Sequence, residues 1–547
     1  MSGTAEIAVV DLLPAGEGVR HVSYSSAGQL LVIAPADAAA VGERLPRHPA
    51  PVILTNSGQQ EVIDGSTARV IRGQALTVAG HLGRFRVIAS VGDREVDLGR
   101  TCGTDTACFD LVLDLSAVPL LQRPVLPPGY FAPGTDPAAL DQALDSLVGL
   151  VGDFEKPRYF HYRQDLCAHG GTEASGCNRC LEACGAEAIT SLDHAIEVDP
   201  WLCQGCGACS TVCPSGAIRY NYPPPATVLE QVQRALEGVP DGTPTSIVFY
   251  SDPELTGAKE AVSEDSCLFV RVEDTGSIGG DVMLPAICYG ADRVVVALSE
   301  QAPATTTAAL REEVNVYNRI LAGLGCGENR LHATTGSGGL AASLAQTPAM
   351  LALPRATFGG FNEKRTMLDL AVDHLYRHSQ VRERYQPLPA PAPFGNVNVD
   401  RSACTLCMAC AGICPAGALR DGGGEPVLKF IEANCVQCGA CAEICPEQVI
   451  QLQPRIDYDR DAAKNPRVLN EDEAVYCEDC GKAFGTRSMI AAISAKLKDH
   501  WMYQTHGDRN LMRLCGECRA KRALSAQKET DRLQVEQYRD GFTRGGH

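Results

Sequence analysis

Residues 404–415, CTLCMACAGICP, and 435–446, CVQCGACAEICP, decide how this chain is read. Each is a C-x2-C-x2-C-x3-C-P run. Three thiolates spaced so closely grip three corners of a four-iron cubane. The fourth corner needs a sulfur from elsewhere, and in chains with two such runs the fourth Cys of each serves the other cluster. The spacing therefore assigns Cys404, Cys407, Cys410 and Cys445 to one 4Fe–4S cluster. It assigns Cys435, Cys438, Cys441 and Cys414 to a second. The proline after each fourth Cys fixes its own φ and has no N–H, which helps turn the chain there. A zinc site or a set of inert buried cysteines is the competing reading, and two complete runs with both prolines weigh against it.

This stretch resembles the bacterial two-cluster ferredoxins, which implies an electron-transfer module. The pattern recurs upstream. VDPWLCQGCGACSTVCPSGAI (198–218) aligns without a gap on VDRSACTLCMACAGICPAGAL (399–419), so the chain contains an internal repeat. In the upstream unit the second run is regular, with Cys203, Cys206, Cys209, Cys213 and Pro214. The first is altered to C-x9-C-x2-C-x3-C, with Gly185 in place of the proline. By the same crossing, Cys167, Cys177, Cys180 and Cys213 are expected to hold one cluster, and Cys203, Cys206, Cys209 and Cys184 another. A lost cluster with leftover cysteines is the alternative for the altered half.

The tail carries two C-x2-C knuckles, YCEDCG (476–481) and CGEC (515–518), with 34 residues between Cys480 and Cys515. Four thiolates so placed suit a closed tetrahedral site, so Cys477, Cys480, Cys515 and Cys518 are expected to hold one Zn, with rubredoxin-like iron as the alternative. The expected cofactors are thus four 4Fe–4S clusters and one Zn.

The chain has 547 residues, enough for several domains, and a formal charge of −18. Loaded with four clusters and zinc it would approach about −28. So acidic a chain disfavours nucleic acid as a partner and suits docking on a basic protein face. No run of eighteen apolar residues predicts a membrane span. The opening MSGTAEIAVVDLLPAGEGVR has no basic stretch leading into an apolar one, so no Sec signal is expected. Metal-spaced rather than disulfide-spaced cysteines point to a reducing cytoplasm.

The expected fold class is mixed, α/β and α+β: two ferredoxin-like two-cluster modules flank a parallel α/β domain, with a β-rich N-terminal domain and a C-terminal zinc ribbon. The first domain is placed at 1–155, with short strand runs such as 29–35, 51–55 and 109–116. Its end is read as a Pro/Gly-rich linker over 121–137 and a helix over 139–154. The modules are placed at 156–225 and 396–455, and the ribbon at 470–547. Between the modules, 226–385 alternates strand and helix, which argues a parallel sheet with helices on both faces. QPLPAPAPFG (386–395) reads as a semi-rigid linker. TGSGG (335–339) reads as a plain turn, Cys267, Cys288 and Cys326 as core, and Cys102 and Cys108 as ordinary cysteines. The charged stretch 519–542 reads as a solvated helix.

GADRVVVALS (290–299) resembles the delta-subunit domain of methyl-viologen-reducing hydrogenases. That family has cysteines where this chain reads EDTGSIG and ALSEQAP, so the resemblance implies the same scaffold without its metal site. The order PPGYFAP, a long-insert ferredoxin unit, a second unit and CEDCG…CGEC resembles multi-cluster proteins found with cytoplasmic formate dehydrogenase systems. What that implies is an electron carrier with formate dehydrogenase as a redox partner. An assembly or maturation accessory, and an electron-input subunit of a larger oxidoreductase, are the alternatives. No catalytic residues are assigned, since the chain has no G-x-S-x-G, Walker or H-E-x-x-H motif.

Overall fold

The computed structural model describes residues 9–12, 20–34, 45, 50–56, 68–104, 106–169, 176–192, 195–253, 255, 267–345, 347–497, 512–522 and 524. The chain groups into two compact units, Met1–His169 with Asn178–Gln386, and Gly170–Cys177 with Pro387–His547.

In the first unit, runs rich in Val, Ile and Leu become parallel strands, with the central Ser246–Tyr250 and Arg293–Leu298 wholly buried, as two-sided burial demands. Ser246–Tyr250, Cys267–Arg271, Arg293–Leu298 and Leu331–Thr335 form one parallel sheet. Helices Pro225–Glu237, Gly280–Cys288, Ala304–Gly323, Gly336–Leu344 and Lys364–His378 accompany it. These elements lie within a few residues of the sequence reading for 226–385. A fifth strand was not expected: Val9–Asp11 pairs in parallel with Cys267–Arg271. The stretch 1–155 thus lends its first strand to the central sheet instead of keeping it.

The rest of 1–155 is built on a second parallel sheet, ordered Tyr130–Phe131, Leu111–Asp114, Leu30–Ile33, Val52–Thr55, Arg69–Arg72. An antiparallel meander, Gln74–Ala79, Arg86–Val91 and Arg94–Asp97, packs beside it. Two expectations fail here. The 121–137 stretch is not a linker. Tyr130 is buried in the core, its hydroxyl donates to Asp114 Oδ2 at 2.5 Å, and the Leu121 amide donates to that hydroxyl at 3.2 Å. The helix starts on an Asp136 cap but ends at Val148, because Gly152–Pro157 is drawn into antiparallel pairing with His21–Ser26.

Each two-cluster module has the same frame. In the first, Phe160–Tyr162 pairs antiparallel with Ile218–Tyr220, and Ile189–Leu192 with Ala195–Val198. In the second unit, Gly395–Val399 pairs with Ile450–Asp457, and Leu419–Arg420 with Val427–Phe430. The Pro-rich 386–395 stretch is again not a free linker: Leu388, Ala392 and Phe394 are buried, and Arg460 stacks over Phe394. Apolar residues punctuating a proline run explain both misreadings. Between the tail knuckles, Arg487–Leu497 is a helix, and most of 519–542 lies outside the described residues.

Asp114 is fully buried, and its carboxylate relies on Tyr130 and the amides of Ser116 and Leu120. Tyr130→Phe should lower the unfolding stability by about 2 kcal/mol. Chemical denaturation against the unaltered chain reads this, and an unchanged midpoint would place 121–137 outside the folding unit.

Candidate metal centres

In the second unit the two CxxCxxC loops are shaped by left-handed residues at matching places. Leu406 and Met408 have φ of 53° and 62°, and Gln437 and Gly439 have 52° and 88°. Three of these four are not glycine and carry the cost of that conformation. Wrapping the backbone this way turns successive sulfurs toward one point. After the fourth Cys of each run comes another left-handed residue three places on, Gly417 and Gln448, whose amides bond back to the carbonyls of Cys414 and Cys445.

The result is two apolar cavities. One is lined by Cys435, Cys438 and Cys441 from the second run and Cys414 from the first, with Val397, Phe430 and Leu452. The other is lined by Cys404, Cys407 and Cys410 with Cys445. Sulfur acceptors are supplied with donors: the Ala418 amide reaches Cys414 Sγ at 3.3 Å, and Gln437 Nε2 reaches Cys435 Sγ at 3.2 Å. Glu432, three residues before Cys435, is clamped by Arg455 through two bonds of 2.8 and 2.7 Å, which fixes the entry to that loop.

Burial first, and the neighbouring sulfurs second, push these thiols up: Cys410 to about 12 beside Cys407, Cys404 and Cys445. Burial likewise pushes Cys435 up to about 11 and Cys441 further still. Four thiolates together in an apolar pocket are unstable unless a cationic core neutralises them, which is what a metal cluster supplies. The donor set therefore fits a 4Fe–4S group.

In the first unit, Cys180 and Cys213 are buried in the module core, with Cys167, Cys184, Cys203 and Cys209 packed against it. Burial is the largest cause that pushes Cys203, Cys206 and Cys209 up, and the nearness of Cys184 adds to it in each. Gly205 and Gly207 repeat the left-handed positions of the second unit, and Glu187 and Gly216 repeat the turn after the fourth Cys. The Ala188 amide reaches Cys184 Sγ at 3.3 Å, as Ala418 does Cys414. The altered half departs from this: Asn178, between Cys177 and Cys180, has φ of −110°. The Tyr162 hydroxyl sits against Cys167 and Cys180. Cys177 belongs to the Gly170–Cys177 segment, which groups with the second unit.

Residues 403–450 and 175–217 each match the family of 4Fe–4S dicluster domains. The chain carries two 4Fe–4S dicluster domains. The upstream match begins after Cys167, so that residue's assignment rests on the spacing and on Tyr162. Over 59 residues the chain is 39% identical to Hydrogenase-4 component A of Escherichia coli (strain K12); the match covers 11% of this chain and 29% of that protein.

A third centre lies in the tail. Strands Ala474–Tyr476 and Ala483–Thr486 pair antiparallel, and the turn between them carries Cys477 and Cys480. The sulfurs of Cys477, Cys480, Cys515 and Cys518 all lie within 4.8 Å of one another, and Cys480 and Cys515 are 3.7 Å apart. Tetrahedral Zn–S bonds of about 2.3 Å require sulfurs about 3.8 Å apart, so the geometry fits. Desolvation would raise the Cys477 thiol, yet backbone amides at Cys515, Cys480 and Asp479 hold it down to about 6. Cys267, Cys288 and Cys326 are buried in the central domain. Among the described residues no helix is long and apolar enough to cross a membrane.

Several contributors were not read from sequence. Gln437, Met408 and Leu406 carry no signature in a single chain, whereas the glycines at 205, 207 and 439 were visible signals of turning. Since Cys414 lines the cavity of Cys435, Cys438 and Cys441, Cys414→Ser should alter the EPR signal of that one cluster and spare the cluster of Cys404, Cys407 and Cys410. A change confined to the cluster of its own run would reverse the assignment.

Proposed function

We propose that this chain is an electron carrier in which four 4Fe–4S clusters pass single electrons between a dehydrogenase and another redox protein. Two dicluster domains in one chain carry the reading, because a structural role needs no repeated two-cluster module. The clusters store and release one electron each. The chain's own residues do the rest. Cys404, Cys407, Cys410 and Cys445 hold one cluster, and Cys435, Cys438, Cys441 and Cys414 a second. Cys203, Cys206, Cys209 and Cys184 hold a third, and Cys167, Cys177, Cys180 and Cys213 a fourth. The amides of Ala418 and Ala188 donate to sulfur at matching places, and the side chain of Gln437 adds a donor to Cys435 where the first module has Gly205, which sets potentials apart. Cys407 is exposed, so the cluster of Cys404, Cys407 and Cys410 is the nearest of the second module's pair to a docking partner. Cys477, Cys480, Cys515 and Cys518 hold zinc as a structural closure of the tail.

Formate dehydrogenase is the proposed donor, on the motif order noted above, with the central domain a relative of the hydrogenase delta subunit that has lost its metal ligands. The acidic total of −18 supports charge-guided docking, which weakens with salt. The competing reading is an accessory for maturation of such an enzyme.

Anaerobically prepared protein should contain about 16 iron and about one zinc per chain. A plateau near about 12 iron would mean that the altered half of the first module holds no cluster. Mixed with formate dehydrogenase, the visible absorbance should bleach reversibly on adding formate, more slowly at high salt. Clusters that cycle with no donor, in a protein whose loss instead blocks maturation of the dehydrogenase, would favour the accessory.

A further inference from the structure

In open parallel sheets, ligands bind outside the carboxyl ends of the strands, where the strand order reverses. In the central sheet that point lies between Ser246–Tyr250 and Arg293–Leu298. What packs against these strand ends is the first module's regular run. The turn Thr275–Ser277, which follows Cys267–Arg271, lies on the loop Cys206–Ala208. Backbones touch there: a side chain at Gly276 would meet the Cys206 carbonyl at 2.1 Å, and one at Gly207 would meet Ser277 at 2.6 Å. Thr211 Oγ1 donates to the Gly276 carbonyl at 2.7 Å.

The helix Ala304–Gly323, which follows Arg293–Leu298, starts in the same place. Its first turn has free amides and the positive end of a 20-residue dipole, and Pro303 offers no side-chain cap. Thr305 Oγ1 lies 3.2 Å from where a side chain on Gly185 would begin, next to Cys184. Thr306 is 1% exposed, and its hydroxyl has no hydrogen-bond partner among the described residues. Its side chain lies against the Cys206 loop: a side chain at Gly276 would meet the Cys206 carbonyl at 2.1 Å and the Thr306 methyl at 2.7 Å. The repeat gives an internal comparison. Cys407 occupies the place of Cys206 in the aligned module, and Cys407 is exposed.

We infer that the central α/β domain uses its ligand crevice as an electrostatic socket for the cluster of Cys184, Cys203, Cys206 and Cys209. The Thr306 hydroxyl and the first turn of its helix hold that cluster's potential above the value its burial would set. The cluster takes one electron, its core passing from 2+ to 1+, and no bond forms or breaks. The added charge draws the unpaired O–H and the free amides toward sulfur, and this stabilises the reduced state. The socket makes this cluster the first module's electron acceptor. The inference rests on the electron-carrier reading.

The test is a dithionite titration of the full chain followed by EPR, comparing Thr306→Val and Thr306→Ser with the unaltered protein. Valine matches threonine in shape and leaves no polar group unpaired, so iron content should not change. One cluster of the set should shift to lower potential in Thr306→Val by about a tenfold change in its reduction equilibrium, about 59 mV for one electron. Thr306→Ser should restore it. An unshifted potential, or an equal shift of every cluster, overturns the socket while the carrier reading stands. The carrier reading itself fails at an earlier step, if no cluster in the unaltered protein accepts an electron.

Discussion

Sulfurs that must ionise side by side in an apolar pocket repel one another, and residues 404–450 are shaped by the need to bring them there all the same. The backbone accepts left-handed conformations at Leu406, Met408 and Gln437, where an ordinary residue is strained. It encloses the sulfurs among Val397, Phe430, Leu428 and Ile450. Neither cost is recovered without a cationic core, so folding of these modules and loading of their metal are coupled. The same device appears in the first module at Gly205 and Gly207, where glycine removes the strain.

The two modules share a frame and differ in their surroundings. In the second, Cys407 is open to solvent. In the first, the matching Cys206 is partly shielded, with the turn Thr275–Ser277 packed on its loop. Protection from solvent and a donor aimed at sulfur act on potential in opposite directions, burial lowering it and the donor raising it. A chain that repeats one module in two environments can therefore hold electrons at distinct energies without changing the ligand set. In the altered half seven extra residues separate Cys167 from Cys177, and Asn178 lacks the left-handed conformation of its counterparts Gly207, Met408 and Gly439.

Much of this was legible in the order of residues. Cysteine spacing is a local constraint, set by how far a sulfur can reach from its own backbone, so the runs and the tail knuckles could be read directly. Alternating strands and helices over 226–385 were legible for the same reason: VVVAL buried on both faces needs no partner's identity to be recognised as a central strand. Which strand lies at the sheet's edge was not legible. Val9–Asp11 reaches Cys267–Arg271 across more than two hundred residues, and no local pattern encodes that pairing.

The stretches 121–137 and 386–395 misled for a related reason. Proline and glycine signal the absence of regular structure, not exposure, and Tyr130 and Phe394 are buried within them. The sequence by itself determined the cysteine runs, their spacing and the parallel α/β pattern, because each rests on spacing or periodicity within a few residues. Only the tertiary structure decided that Asp114 is held by Tyr130, that Gln437 reaches Cys435, and that the central domain's helix begins beside Cys206. Those depend on which surfaces meet in space, and burial, hydrogen bonding and the charge around a sulfur are properties of that meeting.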